Sequence, residues 1–362
     1  MVQKGTILAD PRFEHRWLST EFIAESCTLG ENERTREQHY VPQLYLKRWM
    51  VGDVVQPVLV DRRTPLRPQP PKDIAKKTNF YSLPAPDSTI GAPLRWIETH
   101  LSRIENDCAH RLDQLERGGT GIVADDGLKR DLAVFLGLQA VRIPSNRERH
   151  LLLIEGPVRA KREFYRHLVP AMTDAEFYGL LTRAHPDPKV EALNLMFSDV
   201  ELATAGALYR RQWAVFRTTG PIVTCDDPVV LVAGPPYDRG AMHGVGRSAV
   251  VFYPLNPQHL LVMFRPDLPY RGDYQLDEQE TRSVNHEIMA AATTMVFEKP
   301  GDDITVQLEV PTRTRPELDD EQIAQLDDAA ALQLMLRAVS PRSRWDGVRD
   351  APGWPVPRWY RP

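Results

Sequence analysis

Apolar residues recur along this chain with two different periods, and the change falls near Trp213. Before it, Leu94, Ile97, Leu101, Ile104, Cys108, Leu112 and Leu115 lie three or four positions apart, the spacing one helix face buries. This stripe predicts a helix from about Pro93 to Glu116, opened by a proline and stopped by Gly118-Gly119. Leu128, Leu132, Phe135, Leu136 and Ile143 predict a second helix, with Asp125 or Asp126 as N-cap and Pro144 as terminator. Residues 147–212 read as helical with breaks at Pro157, Pro170 and His185-Pro186-Asp187-Pro188. Further upstream, Val41, Leu44, Tyr45 and Trp49 keep helical spacing with Pro42 in a first turn, and Val54 to Asp61 reads as a strand.

From Trp213 onward, short apolar runs replace the stripes. Trp213–Thr218, Ile222–Cys225, Val229–Val232, Ala249–Tyr253 and Leu260–Phe264 are separated by turn residues, the pattern of a mostly antiparallel sheet. A helix over 277–293 and a strand over 294–310 follow. Glu317 to Val339 forms an amphipathic helix whose acidic first turn suits the helix dipole. The fold class is α+β, a helical first half packed against a mostly antiparallel sheet in the second half. The body spans 37–310, between an N-terminal extension (1–36) and a C-terminal helix with a Pro/Arg/Trp-rich tail (311–362).

Composition narrows the function. The 362 residues are 42% hydrophobic and 26% charged, with a net charge of -4, so any nucleic-acid contact needs a local basic patch. Such a patch is offered by Arg159, Arg162 and Arg166, which share one helical face; the plainer reading is a solvated face balanced by Glu155 and Glu163. Three scattered cysteines argue against a disulfide framework or a four-cysteine zinc site. No signal peptide or membrane-length apolar run is present, which points to a soluble, cytoplasmic protein without membrane contact. Nucleotide P-loop, dinucleotide fingerprint, G-x-S-x-G elbow and H-E-x-x-H motifs are all absent.

The candidate chemistry sits on apolar faces. Glu98 and Glu105 are seven apart, on one side of the first helix, and Gln139 and Arg142 fall in line with the apolar stripe of the second. Buried guanidinium and amide groups must find partners. Either they form a structural network, with Arg142 bridging to Glu98 or Glu105, or they surround a cleft with His39 and Asp226. In the cleft reading the carboxylates hold a divalent cation and Arg142 grips a phosphate or carboxylate. His39 is a capping or packing residue, or a general base whose second nitrogen needs an orienting partner; only Glu37 is near in sequence.

The run His39-Tyr40-Val41-Pro42-Gln43-x-Tyr45-Leu46 resembles the opening signature of a bacterial family, domain of unknown function 4238. Asn79-Phe80-Tyr81, the helix carrying Glu98 and Glu105, Gln139-x-x-Arg142-x-Pro144, Thr224-Cys225-Asp226-Asp227-Pro228-Val229, Pro254-Leu255-Asn256-Pro257 and Asn285 are similar to later pieces of that family. They occur in the right order over roughly 37–300. Cys225 stands where the family usually has serine. The resemblance favours Asp226 as the functional member of the Asp226-Asp227 pair and leaves Asp227 as turn chemistry.

The family name carries no activity, so two readings stand. One is a metal-assisted phosphodiester hydrolase, nuclease-like and defence-related, with Glu98, Glu105 and Asp226 on Mg or Mn. In it His39 acts as base and Arg142 steadies transition-state charge, and Gln139 is a further catalytic candidate. The other is a non-catalytic binding or regulatory protein whose polar set is structural and whose tail tryptophans Trp345, Trp354 and Trp359 meet a protein partner. A small-molecule enzyme without metal is a third option.

Overall fold

The computed structural model describes residues 13–84, 92–119, 121–154, 187–234, 244–268, 274–313, 325–327, 343–345 and 352–359, with single positions between them. The face of Arg159, Arg162 and Arg166, and nearly all of Glu317 to Val339, lie outside these residues.

The helical layer is built on two long helices. Helix α3 (Trp96–Arg117) starts three residues past Pro93 and buries Ile97, Leu101, Ile104, Cys108, Leu112 and Leu115. Helix α4 (Asp126–Val141) is capped by Asp125, whose carboxylate accepts from the Leu128 amide at 2.8 Å. Helix α1 (Thr20–Leu29) packs along α3. The segment before it buries Trp17 completely, with its indole N–H donated to Asp107. The opening motif forms strand β1 (Glu37–His39), a short helix α2 (Gln43–Leu46) and a 3-10 turn over Lys47–Trp49. Pro42 precedes α2 as its N-cap, and its carbonyl accepts from both Tyr45 and Leu46.

Helix α5 (Pro188–Asp199) places Pro188 in its first turn, capped by Asp187, so part of the expected break is a helix start. A five-residue π-helical segment, Val200–Thr204, joins α5 to helix α6 (Ala205–Tyr209). Gly137, in the middle of α4, explains how this segment fits: a Cβ there would lie 3.0 Å from Thr204 Oγ1 and 3.3 Å from the Ala205 amide nitrogen. Glycine inside a helix otherwise costs about 1 kcal/mol relative to alanine. Gly137→Val is therefore expected to lower unfolding free energy by about 1–3 kcal/mol through overpacking. Urea titration checks this, and a valine variant as stable as wild type would show that α4 and the π segment are not in such close contact.

The described strands form three antiparallel sheets. Strand β1 pairs with β4 (Lys76–Thr78). A five-stranded sheet has the order β5 (Gly121–Ile122), β6 (Gln212–Arg217), β10 (His259–Phe264), β9 (Val250–Asn256), β8 (Val230–Val232). A four-stranded sheet has the order β3 (Thr64–Pro65), β2 (Gln56–Leu59), β11 (Met295–Glu298), β7 (Thr224–Cys225).

The five-stranded sheet is buried on both faces, which is why its strands look apolar throughout. Successive side chains alternate between faces. Trp213, Val215, Val251, Tyr253, Leu261 and Met263 share one core with the helices. Ala214, Phe216, Phe252, Leu260, Val262 and Phe264 share another with helix α7 (Glu278–Ala291) and β7–β11 residues such as Cys225 and Val296. The α+β architecture thus has its main sheet as a middle layer.

The tail tryptophans dock on this chain itself. Trp359 is 1% exposed and packs on Phe216, Phe252 and Phe264, with ring centroids 5.3, 5.5 and 5.6 Å away. Trp345 is buried beside His286, and the Trp354 ring occupies the space a Cβ on Gly234 would need. Arg344 and Arg358 pair with Asp61 and Glu280. The expected protein-facing surface is therefore largely consumed inside the fold. Among the described residues no helix is long and apolar enough to cross a membrane.

Candidate functional site

The pieces singled out in the sequence are tied by two sets of hydrogen bonds between the helices and the sheets. Tyr45, entirely buried, hydrogen-bonds Thr224 through its hydroxyl at 2.6 Å and stacks on Tyr253 at 4.8 Å. Trp49 donates to the Ile222 carbonyl at 2.9 Å. Asn285 on α7 accepts from the Val223 amide and donates to the Pro221 carbonyl. Gln38 accepts from the Tyr81 amide at 2.6 Å, and Tyr81 donates its hydroxyl to the Arg142 carbonyl at 3.0 Å.

Arg142 is at the centre, with a side chain 2% exposed at the C-terminal end of α4. It donates to Glu105 at 2.7 Å and to Gln139 at 3.2 Å, while Gln139 donates to the Tyr40 carbonyl at 3.0 Å. Its second terminal nitrogen has no partner. Glu98 lies near enough to Glu105 and Arg142 to feel both charges, and burial, followed by Glu105, pushes its carboxyl up to about 7. The proton is thus held more tightly in the folded state than at the ordinary 4.5. The stability this adds is fully present below about 4.5 and lost as pH rises through about 7. Glu98→Gln is therefore expected to gain in melting temperature over wild type as pH rises across that window. A constant difference from pH 4.5 to 8 would contradict it.

His39 is not poised as a base. Its Nε2 hydrogen-bonds the Lys72 carbonyl at 3.1 Å, and its Nδ1 faces the Gln43 amide nitrogen at 3.4 Å. A neutral ring satisfies both contacts, donating to the carbonyl and accepting from the amide. Burial, then Lys76 and Arg142, lower its affinity for a second proton. Among the described residues no carboxylate hydrogen-bonds it.

Asp226 stands apart from Glu98 and Glu105 in its bonding. One carboxylate oxygen accepts from the Thr293 amide at 2.7 Å, and the other from Thr294 at 2.8 Å and Met295 at 3.0 Å. These donors lie between the end of α7 and the start of β11, so Asp226 staples the turn. Among the described residues no group of three or more His, Cys, Asp or Glu is placed to hold a metal ion. The expected Mg or Mn set of Glu98, Glu105 and Asp226 is not formed, because Asp226's lone pairs face backbone donors. Cys225, at the serine-like position, is buried, donates to the Asp227 carbonyl at 3.0 Å, and has its thiol pushed well up by burial. It is no nucleophile.

A cavity of about 650 Å³ lies elsewhere, a size that suits a small molecule. Ala140 and Val141 of α4, Leu202, Ala203 and Thr204 of the π segment, and Val229 and Leu231 beside β8 supply much of its wall. Arg149, Arg210, Arg247, Arg313, Asp199, Asp227 and Glu287 supply its charge. Asp199 accepts from His150 at 2.8 Å and Arg149 at 3.3 Å, and Glu287 pairs with Arg239. Asp227 has no side-chain hydrogen bond or ion pair among the described residues. Burial, then the neighbouring Asp226, push its carboxyl up to about 8, against the pull of Arg313.

The roles within the Asp226-Asp227 pair are thus the reverse of those expected. Asp226 is the turn residue and Asp227 faces a cavity. Sequence reasoning also missed Asp199, Arg247 and Glu287, which come together only through the fold. Arg149 stood in a basic run, but nothing in that run set it apart.

The molecule is an α+β protein with a doubly covered antiparallel sheet, a sealed polar network and a separate cavity at the helix–sheet junction. It belongs to the family described as protein of unknown function (DUF4238), whose model matches residues 37–302. No curated protein and no solved structure matches the chain.

Proposed function

We propose that this protein works by binding a small organic molecule in the cavity, and that Gln139, Arg142, Glu98, Glu105, His39 and Asp226 are its architecture. The observation that carries the reading is the π segment Val200–Thr204, whose Leu202, Ala203 and Thr204 line that cavity. A π turn is rare inside helices and is frequent at functional sites. The polar network, by contrast, spends most of its hydrogen bonds within the fold, on backbone carbonyls and amides and on its own side chains.

The metal-assisted phosphodiester hydrolase reading loses its support with the dispersal of its ligands. Incubation with DNA or RNA and Mg or Mn remains its direct test; cleavage that disappears on chelation and in a His39→Ala, Glu105→Ala double variant would restore it. For the cavity, native mass spectrometry is the direct measurement. The purified protein is expected to retain or capture a ligand of a few hundred daltons at one per chain. Ala203→Trp, at an exposed position on the cavity wall, is expected to abolish that adduct without loss of melting temperature. An adduct unaffected by the tryptophan would place binding outside the cavity.

A further inference from the structure

We infer that the cavity's ligand is an organic anion, an apolar body carrying a phosphate or carboxylate, gripped by Arg149 and Arg247. This rests on the small-molecule reading and narrows it. Arg149 spends one terminal nitrogen on Asp199 at 3.3 Å, long for a charge-assisted bond, and its other terminal nitrogen has no partner among the described residues. Arg247 is exposed, and its backbone bonds Gly244 and Arg265 while its side chain has no hydrogen bond or ion pair among the described residues. Both line the cavity, so guanidinium donors of fixed fork geometry face it with capacity unspent, and that fork matches carboxylate and phosphate oxygens.

The acids of the wall do not cancel this charge. Glu287 is already paired with Arg239, and Asp199 lies closer to His150, at 2.8 Å, than to Arg149, at 3.3 Å, so it offsets Arg149 only in part and Arg247 not at all. Asp227, largely protonated at neutral pH, offers an O–H donor rather than a repelling charge. Leu202, Val229 and Leu231 in the same wall fit an organic body rather than a bare inorganic ion.

Calorimetric titration with phenyl phosphate, benzoate, inorganic phosphate and phenol tests the inference on the full chain. Phenyl phosphate or benzoate is expected to bind one per chain and at least about tenfold more tightly than phenol or inorganic phosphate. The stronger of the two tells phosphate from carboxylate. Arg247→Glu, on an exposed loop, is expected to weaken the anion by about tenfold or more while leaving phenol binding and the melting temperature unchanged. Equal affinity for phenol and both anions, no binding of either anion, or indifference to Arg247→Glu overturns the anion inference. If phenol binding is blocked by Ala203→Trp yet no anion is preferred, the cavity reading survives and this inference falls. Anion binding that ignores Ala203→Trp removes both.

Discussion

Replacing Arg142 with methionine is expected to cost about 3–5 kcal/mol of unfolding free energy, the usual consequence of removing one partner from a buried ion pair. The substitution keeps most of the side-chain volume and removes the charge. It leaves the Glu105 carboxylate, 19% exposed, without its cation, and deprives Gln139 of the donor that fixes its amide. Glu98 loses the one positive charge that opposes its desolvation. If the cluster is architecture, pairing Arg142→Met with Glu105→Leu should recover most of the loss, because apolar replacement of a whole buried pair is often neutral. Urea unfolding of the two variants decides the matter. A double variant as unstable as the single one would show that Arg142 serves something other than Glu105.

Asp226→Ala is expected to be comparably damaging. Three backbone amides converge on this one carboxylate, and each buried donor left unsatisfied costs about 1–3 kcal/mol. A loss of about 4 kcal/mol or more follows. Asp226→Asn should cost less, since its remaining carbonyl oxygen can keep the Thr294 and Met295 amides while the Thr293 amide meets an N–H donor. Hydrogen exchange at residues 293–295 should accelerate in the same order. Addition of Mg, Mn or a chelator is expected to leave wild-type stability unchanged; a metal-dependent rise abolished by Asp226→Asn would return this residue to the ligand set.

Much of the architecture was legible because its determinants are local. The α3 stripe, the Asp125 cap and the Gly118 stop each depend on residues within a turn or two. The strands after Trp213 were equally plain, although a run such as Leu260–Phe264 cannot say that two different cores claim its alternate residues. The Arg142–Glu105 bridge was foreseeable, since both groups lie on apolar faces and neither can be buried alone. What could not be read was which of two adjacent aspartates turns toward a cavity. Asp226 and Asp227 have the same chemistry; the difference is made by amides nearly seventy positions away. The tail posed a similar problem. Its tryptophans announced burial, but only the aromatic surface of Phe216, Phe252 and Phe264 reveals where.

The π segment between α5 and α6 carries a further implication, about how chain length is counted. Relative to a continuous α-helix, such a widened turn holds one residue more than its ladder requires. Excising Ala203 would let the backbone close into ordinary α-helical register, and everything after it would rotate by about 100° relative to what precedes it. Leu208, now sealed in the core, and Arg210, now at the cavity wall, would exchange surroundings with their neighbours. A single codon therefore separates a helix whose widened turn lines the cavity from a continuous one that would turn different side chains toward it.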